Sequence, residues 1–357
     1  MTSFDIAVIE GDGIGPEVTG EAIRAVEATG GLSDASFQWT RYPWGTDYYL
    51  QHGRMADDDY LDRLAAHDAI LLGAVGHPDV QDHITLNGLL LPIRRRFDQY
   101  VCLRPSRLYP GIDSPLQNKQ PGSIDMLIFR ENTEGEYANV GGRVYQNQTD
   151  DIAIQTAVFT RRGCERIIRA AFEKAQTRPR KHVTSATKSN AQGYGMVLWD
   201  EIFAEVAGEF PQIKTDSLLI DRAVMEFVRR PESFDVVVAS NLFGDILTDL
   251  AAIVVGSMGL AASANIDPTR RGPSMFEPVH GSAPDITGQG IANPLAAILS
   301  AGLMLDHLQL DAAAAAVDSA VANLLANDGP RTPDLGGTAT TSEVGSAVVE
   351  LIRSNSR

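Results

Sequence analysis

A buried strand that leads directly into an acidic helix, at residues 234–250, constrains this chain more than any other stretch. Residues 235–239 (D-V-V-V-A) are apolar and β-branched, as in a strand covered on both faces, and a helix is expected to begin near Gly244. Asp245 and Asp249 are four residues apart, so on that helix they lie one turn apart on one face. The stretch therefore predicts two carboxylates at the edge of a buried sheet.

Two carboxylates this close repel each other unless a positive charge lies between them. A hard divalent cation prefers oxygen ligands, and open α/β sheets place ligands at the carboxyl ends of their strands. Asp245 and Asp249 are therefore candidate metal ligands. The alternative is a solvated helix face with two unrelated acids, because Asp is also common in the first turn of a helix.

Length and charge narrow the class of protein. A chain of 357 residues is too long for one small core and suggests about two lobes. It has no run of about 18 apolar residues, and residues 1–5 lack a basic and apolar leader, so we expect a cytoplasmic protein without a membrane span. A formal charge of −16 argues against nucleic acid and membrane surfaces as partners. An anionic substrate would therefore need a local basic pocket.

The first strand, at residues 4–9, is followed by a glycine-rich turn (G-D-G-I-G-P-E-V, 11–18) and a helix to about residue 29. Pro16 occupies the place of the third glycine of the dinucleotide fingerprint, and no acidic residue follows a second strand at the usual offset, so we reject a Rossmann fold. Alternating strands and helices nevertheless predict an α/β lobe. Its next elements are expected at 37–42, 57–66 and 69–72.

Three arginines offer the basic pocket that an anionic substrate would need. Arg104 and Arg130 each end an apolar run that is expected to be a strand, and Arg94 precedes them. A guanidinium group can hold a carboxylate through two hydrogen bonds in a fixed orientation, which Lys cannot do as well. We therefore predict a substrate role for these three, whereas Arg95 and Arg96 fit a solvated basic helix turn.

The most specific stretch, R-E-N-T-E-G-E-Y-A-N-V-G-G-R at residues 130–143, carries a family resemblance. The chain resembles the metal-dependent decarboxylating dehydrogenases of 2-hydroxy acids, the family of isopropylmalate, isocitrate, homoisocitrate and tartrate/D-malate dehydrogenases. The G-E-Y-x-x-x-G-G-R pattern is similar to the tartrate/D-malate branch. The match spans nearly the whole chain through further motifs: G-D-G-I-G-P-E-V at 11–18, T-S-A-T-K-S-N at 184–190, N-L-F-G-D-I-L-T-D-L at 241–250 and E-P-V-H-G-S-A-P-D-I at 277–286.

The resemblance implies an isopropylmalate dehydrogenase-like α/β fold of two lobes, with a mixed sheet spanning both lobes. A large cofactor-binding domain would comprise residues 1–98 and 254–357. A small domain, residues 99–253, would carry the metal site and the dimer interface.

Lys188 and Asp221 each follow a predicted strand in the middle of the chain. Alone, Lys188 would be read as a surface residue and Asp221 as a helix cap. The resemblance implies instead that Lys188 is catalytic and that Asp221 completes the metal site with Asp245 and Asp249. It also implies that Lys188 and Asp221 reach into the cleft of a partner subunit, so that the site exists only in a homodimer. The elements predicted here are strands at 152–159, 182–187 and 215–220 and helices at 161–175 and 190–208.

A loop rich in Gly and Pro is predicted at residues 277–286, where the backbone can approach a flat ligand. By resemblance this loop binds the adenosine side of the cofactor. Asp285 would accept hydrogen bonds from a ribose diol but repel a 2′-phosphate, which favours NAD over NADP. His280 has the alternative reading of a packed loop histidine. The cofactor residues that the resemblance implies are His280, Gly281, Ser282, Ala283, Asp285, Asn293 and Asn190.

The chemistry that the resemblance implies is oxidative decarboxylation of a small dicarboxylate hydroxy acid. Mn²⁺ or Mg²⁺ on Asp221, Asp245 and Asp249 would stabilise negative charge on substrate oxygens, and a monovalent cation such as K⁺ would be a further cofactor. Lys188 would accept the 2-hydroxyl proton as hydride leaves C2 for NAD, and Tyr137 would protonate C3 after decarboxylation. For D-malate the products would be pyruvate, carbon dioxide and NADH.

The substrate side departs from the tartrate/D-malate pattern. Residues 87–91 (N-G-L-L-L) line the C3 side in this family, and they hold more Leu than that branch, which often has Ser near Leu89. Leu90 is a predicted substrate contact, and isopropylmalate is the alternative substrate; isocitrate lacks a partner for its third carboxylate. A non-catalytic nucleotide-binding protein would have no reason to keep Tyr137, Lys188 and the three aspartates, and a metal-dependent phosphohydrolase would not need the cofactor loop.

Overall fold

The computed structural model describes residues 2–355, and most of its strands join one large mixed sheet. Two short strands form a separate hairpin. The strands are β1 (Thr2–Gly11), β2 (Ala35–Tyr42), β3 (Ala69–Ala74), β4 (Val101–Arg107), β5 (Asp125–Glu131), β6 (Gly141–Val144), β7 (Ile152–Gln155), β8 (His182–Thr187), β9 (Lys214–Leu219), β10 (Val236–Ala239), β11 (Ala262–Ile266) and β12 (Ser274–Pro278).

Helices pack against the sheet and connect its strands. A π-helical turn, Leu86–Leu90, joins two of them. Among residues 2–355, no helix combines the length and the apolar content needed to cross a bilayer. The helices are α1 (Gly15–Ala28), α2 (Thr46–His52), α3 (Tyr60–Leu64), α4 (Asp82–Thr85), α5 (Leu91–Arg96), α6 (Arg161–Thr177), α7 (Gly195–Glu209), α8 (Ile220–Arg229), α9 (Asn241–Val254), α10 (Leu295–His307), α11 (Asp311–Ala326) and α12 (Thr341–Asn355).

The strand order across the ten-stranded sheet is β2-β1-β3-β12-β11-β4-β5-β10-β8-β9. The pairs β12–β11, β11–β4 and β4–β5 are antiparallel, and the flanking pairs are parallel. The predicted mixed α/β sheet and the rejection of a Rossmann fold are therefore confirmed. The β-branched strand β10 is buried along its whole length, as predicted for a parallel strand covered on both faces.

The glycine-rich turn after β1 packs closely against the loop that contains Ser282. Gly11 and Gly13 have φ values of +70° and +60°, which favour glycine. A Cβ on Gly13 would lie 2.0 Å from the carbonyl oxygen of Ser282. The backbone N–H of Ile14 donates to that same oxygen at 2.9 Å. The motif therefore packs against the predicted cofactor loop.

Four predicted boundaries are wrong. α9 begins at Asn241 rather than near Gly244, because only one residue separates it from β10. α7 begins at Gly195 rather than at 190, because the intervening residues form turns. The strand predicted at 152–159 is only the exposed β7, which pairs with β6 outside the main sheet. Glu277, predicted in a loop, lies in β12, whose pairing with β3 and β11 outweighs the local Gly and Pro content.

The apolar core is continuous along the sheet. One cluster extends from Ile6 in β1 through Val237 in β10 to Leu324 in α11, and a smaller one includes Trp44 and Leu90. The sequence led us to expect a separate core in each lobe, and the larger cluster instead joins both halves of the sheet. The domain boundaries at residues 98 and 253 stay a prediction.

Candidate active site

Two of the predicted arginines lie side by side in the middle of the sheet. Arg104 on β4 and Arg130 on β5 are buried, and the antiparallel register of these strands places them two positions apart on the same face. Both reach Asp245 on α9: an Nη1 of Arg104 lies 3.5 Å from Asp245 Oδ1, and Arg130 forms a direct ion pair with the same oxygen. Arg104 also lies 3.8 Å from Asp249. The structure therefore brings together four of the residues that the sequence nominated.

Other side chains fix the three arginines in place. Arg130 donates from Nε and Nη2 to Asn241 Oδ1 at 3.0 and 2.7 Å, and Arg104 donates to Thr248 Oγ1 at 2.6 Å. Arg94 donates to Glu277 Oε1 at 2.7 Å. The Nε atoms of Arg94 and Arg104 are buried and have no partner within the described chain. These guanidinium groups therefore retain donors for a ligand's carboxylates.

The two carboxylates of α9 have opposite electrostatic environments. Burial opposes ionisation of Asp245, but the charges of Arg130 and Arg104 outweigh it, so the pKa of Asp245 lies below its ordinary value. The pKa of Asp249 is raised, first by burial and then by the negative charge of Asp245. The Asp249 side chain is 59% exposed and borders a cleft. A cation beside Asp249 would relieve the repulsion that raises its pKa.

Tyr137 joins this cluster through its phenol, which donates to Asp245 Oδ2 at 2.8 Å. Burial and the charge of Asp245 raise the pKa of Tyr137, so the phenol stays protonated near neutral pH. Arg130 lies 5.2 Å from the centre of the tyrosine ring. Tyr137 is therefore a proton donor held beside the carboxylates.

Lys188 and Asp221 form a separate pair. Lys188 Nζ lies 2.5 Å from Asp221 Oδ1, and this hydrogen bond lowers the pKa of Asp221. Within residues 2–355, no hydrogen bond or ion pair joins either residue to Tyr137, Asp245 or Asp249. In that same part of the chain, no three His, Cys, Asp or Glu side chains are grouped to hold a metal. One chain therefore supplies two of the three predicted carboxylates at a single place.

The predicted cofactor loop lines a cleft and a second, smaller cavity. A cleft of about 950 Å³ lies between residues 75–86, Asp249 and residues 281–284. A second cavity of about 390 Å³ is lined by apolar side chains together with His280, Asn293 and Asp334. His280 Nε2 is buried without a partner in the described chain, and burial lowers the pKa of this histidine, which leaves Nε2 as a free acceptor. Apolar walls with an unused acceptor fit a nucleotide base.

The remaining cofactor residues and Leu90 differ in their surroundings. Asp285 is exposed on its loop, and Asn190 is exposed on the turn after β8, apart from the cleft. Leu90 is only 6% exposed and packs in the smaller core cluster. Leu86, at the start of the π-helical turn, is 38% exposed and lines the cleft with Thr85. Leu86 therefore contributes an exposed apolar side chain to the cleft that Asp249 borders.

Sequence reasoning missed several polar residues of the site. Glu277 holds Arg94, Asn241 holds Arg130, and Thr248 holds Arg104. Asp334 accepts hydrogen bonds from Ser257 and from Asn293 beside the second cavity. Thr248 could have been predicted from the sequence, because it lies three residues after Asp245 and therefore on the same helix face.

Comparisons with known proteins match nearly the whole chain to one family of dehydrogenases. A family model described as isocitrate/isopropylmalate dehydrogenase matches residues 5–348. A protein of Agrobacterium vitis named probable tartrate dehydrogenase/decarboxylase is 52% identical over 353 residues, covering 99% of this chain and 98% of that protein. The D-malate dehydrogenase (decarboxylating) of Escherichia coli strain K12 is 50% identical over 359 residues, covering 99% of each. The crystal structure of isocitrate dehydrogenase from Methylococcus capsulatus matches with a TM-score of 0.89 and 35% identity, covering 98% of this chain and 99% of that one.

These similarities extend over the strands and helices that carry the arginines, the tyrosine and the aspartates described above. The resemblance read from the ordered motifs is thereby confirmed, and so is the fold that it implied. The chain belongs to the isocitrate/isopropylmalate dehydrogenase family and is a decarboxylating dehydrogenase.

Proposed function

We propose that this enzyme catalyses the NAD-dependent, divalent-metal-dependent oxidative decarboxylation of D-malate to pyruvate and carbon dioxide, and the oxidation of tartrate. The observation that carries the proposal is the cluster of Arg104, Arg130, Tyr137, Asp245 and Asp249 beside one cleft. It combines donors for carboxylates, a protonated phenol and oxygen ligands for a hard cation. The names of the relatives support a small hydroxy diacid as substrate.

The carboxylates of α9 fit Mn²⁺ or Mg²⁺. A bound divalent cation would supply Lewis-acid stabilisation of the charge that develops on the substrate's 2-oxygen. Asp245 and Asp249 offer the oxygen ligands that such a cation prefers. Burial, and then repulsion by Asp245, raise the pKa of Asp249, and the nearby arginines offset this only in part. The partner's Asp221 would provide the third carboxylate.

The chain's own residues bind the substrate and move its protons. Arg94, Arg104 and Arg130 would orient the two carboxylates so that the bond to the C3 carboxylate breaks. Lys188 would accept the 2-hydroxyl proton while NAD accepts hydride from C2. Tyr137 would then deliver a proton to C3.

Exposed apolar side chains support a homodimer. Isolated apolar residues are normal on a protein surface, but here they concentrate on two elements. One is the hairpin of β6 and β7 with its flanks, and the other is the outer face of α8 and α9. We propose that a second copy of the chain covers these surfaces and that Lys188 and Asp221 then reach the partner's cleft, as the family resemblance implies. The exposed residues are Val140, Val144, Tyr145, Ile152, Ile154, Met225, Val228, Ile246 and Ile253.

Mixing two inactive variants tests the shared site. If Lys188 acts in the partner's cleft, Lys188→Ala and Asp245→Asn proteins should recover activity after subunit exchange, because one of the two sites in a mixed dimer then carries neither change. We expect up to about a quarter of wild-type activity: half of the dimers are mixed on random exchange, and half of their sites are intact. The measurement is turnover after exchange, verified by mass spectrometry. No recovery despite complete exchange would place Lys188 in its own subunit's cleft.

Asp285 should set the choice of cofactor. A carboxylate near the ribose repels a 2′-phosphate, and like charges brought together cost several kcal/mol, so NAD should exceed NADP in kcat/KM by ~10²-fold or more. Asp285→Lys should reduce the difference in kcat/KM between NAD and NADP. Thr287→Lys is the matched control, because it adds the same positive charge on this exposed loop while keeping the carboxylate. Equal efficiency of NAD and NADP in the unchanged protein would refute this role.

A substrate panel tests the proposed function. The purified protein, supplied with Mn²⁺ and NAD, should form NADH fastest with D-malate or a tartrate isomer, more slowly with 3-isopropylmalate, and not with isocitrate. Isopropylmalate remains the second candidate because Leu86 exposes an apolar surface in the cleft. Preference for isopropylmalate would replace the proposed substrate. No NADH with any of these acids would favour a nucleotide-binding protein without this activity.

A further inference from the structure

The start of α9 is capped by a side chain from another part of the fold. Ser240, the residue before the first turn, makes no capping bond with its own side chain. Glu136 does so instead: its Oε1 accepts from Ser240 Oγ at 2.8 Å and its Oε2 accepts from the N–H of Leu242 at 3.1 Å. This carboxylate satisfies a free N–H of the first turn and lies at the positive end of the helix dipole.

Two further contacts hold the same loop to α9. Asn241 Nδ2 donates to the carbonyl oxygen of Glu134 at 3.1 Å, while its Oδ1 accepts from Arg130. Gly135 has a φ of +76°, and a Cβ there would lie 3.3 Å from Cβ of Asn241. Glycine therefore lets the loop approach the helix closely. Residues 134–136 therefore lie directly against the first turn of α9.

This anchor lies beside the proposed proton donor. Tyr137 follows Glu136 directly in sequence, and Asp245 lies one helical turn after Asn241. From these contacts we propose that Glu136 is a positioning residue, which holds the Tyr137 phenol at a fixed place relative to Asp245 and Asp249. It thereby sets how much oxidised substrate is decarboxylated before it leaves. The inference rests on the proposed function, in which Tyr137 protonates C3.

The step that Glu136 controls follows hydride transfer. Oxidation of D-malate by NAD gives oxaloacetate and NADH. The bond between C3 and its carboxylate then breaks, carbon dioxide leaves, and the bonding electron pair forms an enolate. Proton transfer from Tyr137 to C3 gives pyruvate. Until C3 is protonated, the enolate can recapture carbon dioxide and return to oxaloacetate. A misplaced phenol slows the protonation but not the oxidation, so more of the keto acid dissociates as oxaloacetate.

The test measures the ratio of released oxaloacetate to pyruvate by rapid quenching of reactions with D-malate, NAD and Mn²⁺. Glu136→Met keeps the side-chain length but has no oxygen that could accept from Leu242 N–H or Ser240 Oγ, whereas a glutamine could turn its amide and keep both bonds. A displacement of about 1 Å can cost ~10²-fold in rate, so we expect the ratio to rise ~10-fold or more while NADH formation continues. The KM for NAD should not change.

Glu134→Met is the matched control in the same loop. Its carboxylate accepts from Thr160 N and Oγ1 at 2.9 and 2.8 Å and so holds α6 rather than α9. It should leave the product ratio within about twofold of wild type, since it does not anchor Tyr137 to α9. Ser240→Ala removes one of the two hydrogen bonds to Glu136. It should also raise the ratio of oxaloacetate to pyruvate, but by less than the substitution of Glu136 does.

Three outcomes are decisive. A raised ratio in Glu136→Met and Ser240→Ala, with none in Glu134→Met, supports the inference. An unchanged ratio in Glu136→Met, or an equal rise in Glu134→Met, overturns it while leaving the proposed function intact. If the wild-type protein forms no NADH from D-malate, the proposed function itself fails and the inference with it.

Discussion

Replacing Asp249 with Asn should abolish metal-dependent turnover while leaving the unliganded fold at least as stable as the wild type. Repulsion from Asp245 contributes to the raised pKa of Asp249, so removing its charge removes an unfavourable interaction. The amide, however, lacks the anionic oxygen that a hard cation prefers. Loss of residues that merely support a metal ligand costs 10- to 100-fold, so loss of a ligand should cost ~10²-fold or more. Turnover against Mn²⁺ concentration and the Tm of the metal-free protein measure the two effects.

Asp245→Asn is the informative comparison. It makes the same change one helical turn earlier, but it should also lower the stability of the fold. Asp245 is 31% exposed and balances Arg130, which is almost fully buried. Breaking such a pair costs about 3 kcal/mol, the lower end of the range for buried pairs, since Asp245 is partly solvated. This variant should therefore lose both activity and stability. Full turnover by Asp249→Asn, or by wild type after exhaustive chelation, would contradict the metal site.

Tyr137→Phe should remove decarboxylation of added oxaloacetate more completely than Lys188→Ala does. The phenol is assigned to the proton delivered at C3, after oxidation, and Lys188 to the earlier deprotonation of the 2-hydroxyl. Phenylalanine keeps the ring beside Arg130 but deletes the donor, at a general-acid cost of ~10²-fold or more. Oxaloacetate supplied directly bypasses the first task of Lys188 but not that of Tyr137.

Both variants should be slow to form pyruvate from D-malate, although Tyr137→Phe should still form NADH, so decarboxylation is compared with the keto acid. The measurement is pyruvate formation from oxaloacetate with Mn²⁺, corrected for the rate without enzyme. The opposite order, with Lys188→Ala the more damaged, would mean that the two roles are exchanged.

The strand β10 and the helix α9 could be predicted because local signals were strong there. A β-branched apolar run identified β10, and the four-residue spacing placed Asp245 and Asp249 on one helix face. Arg104 and Arg130 were predictable for a similar reason, since each is a charged residue within an apolar strand. The structure shows both reaching Asp245.

Two of the antiparallel strands at the centre of the sheet, β11 and β12, were not predictable from local pattern. β11 (A-S-A-N-I) and β12 (S-M-F-E-P) lack β-branched enrichment, and both are held by pairing with strands far away in sequence. The same non-local pairing brings Glu277 to Arg94, 183 residues apart. No spacing rule connects positions so distant.

The surroundings of Leu90 and Lys188 show two further features that could not be predicted from the sequence. Periodicity cannot distinguish which leucine of a continuous run faces a cleft, and the π-helical turn directs Leu86 there while Leu90 enters the core. Lys188 pairs with Asp221 away from the arginine cluster. A role for Lys188 in a partner's cleft depends on an interface between two folded chains, which the sequence pattern of one chain does not specify.

The most direct test of the proposed reaction is its product balance. Purified protein should be incubated with limiting D-malate, excess NAD and Mn²⁺, and NADH, carbon dioxide and pyruvate should be quantified in the same sample. We predict that the three products form in equal amounts and that none forms after exhaustive chelation of the metal. NADH without carbon dioxide, or no NADH at all, would contradict oxidative decarboxylation of D-malate by this enzyme.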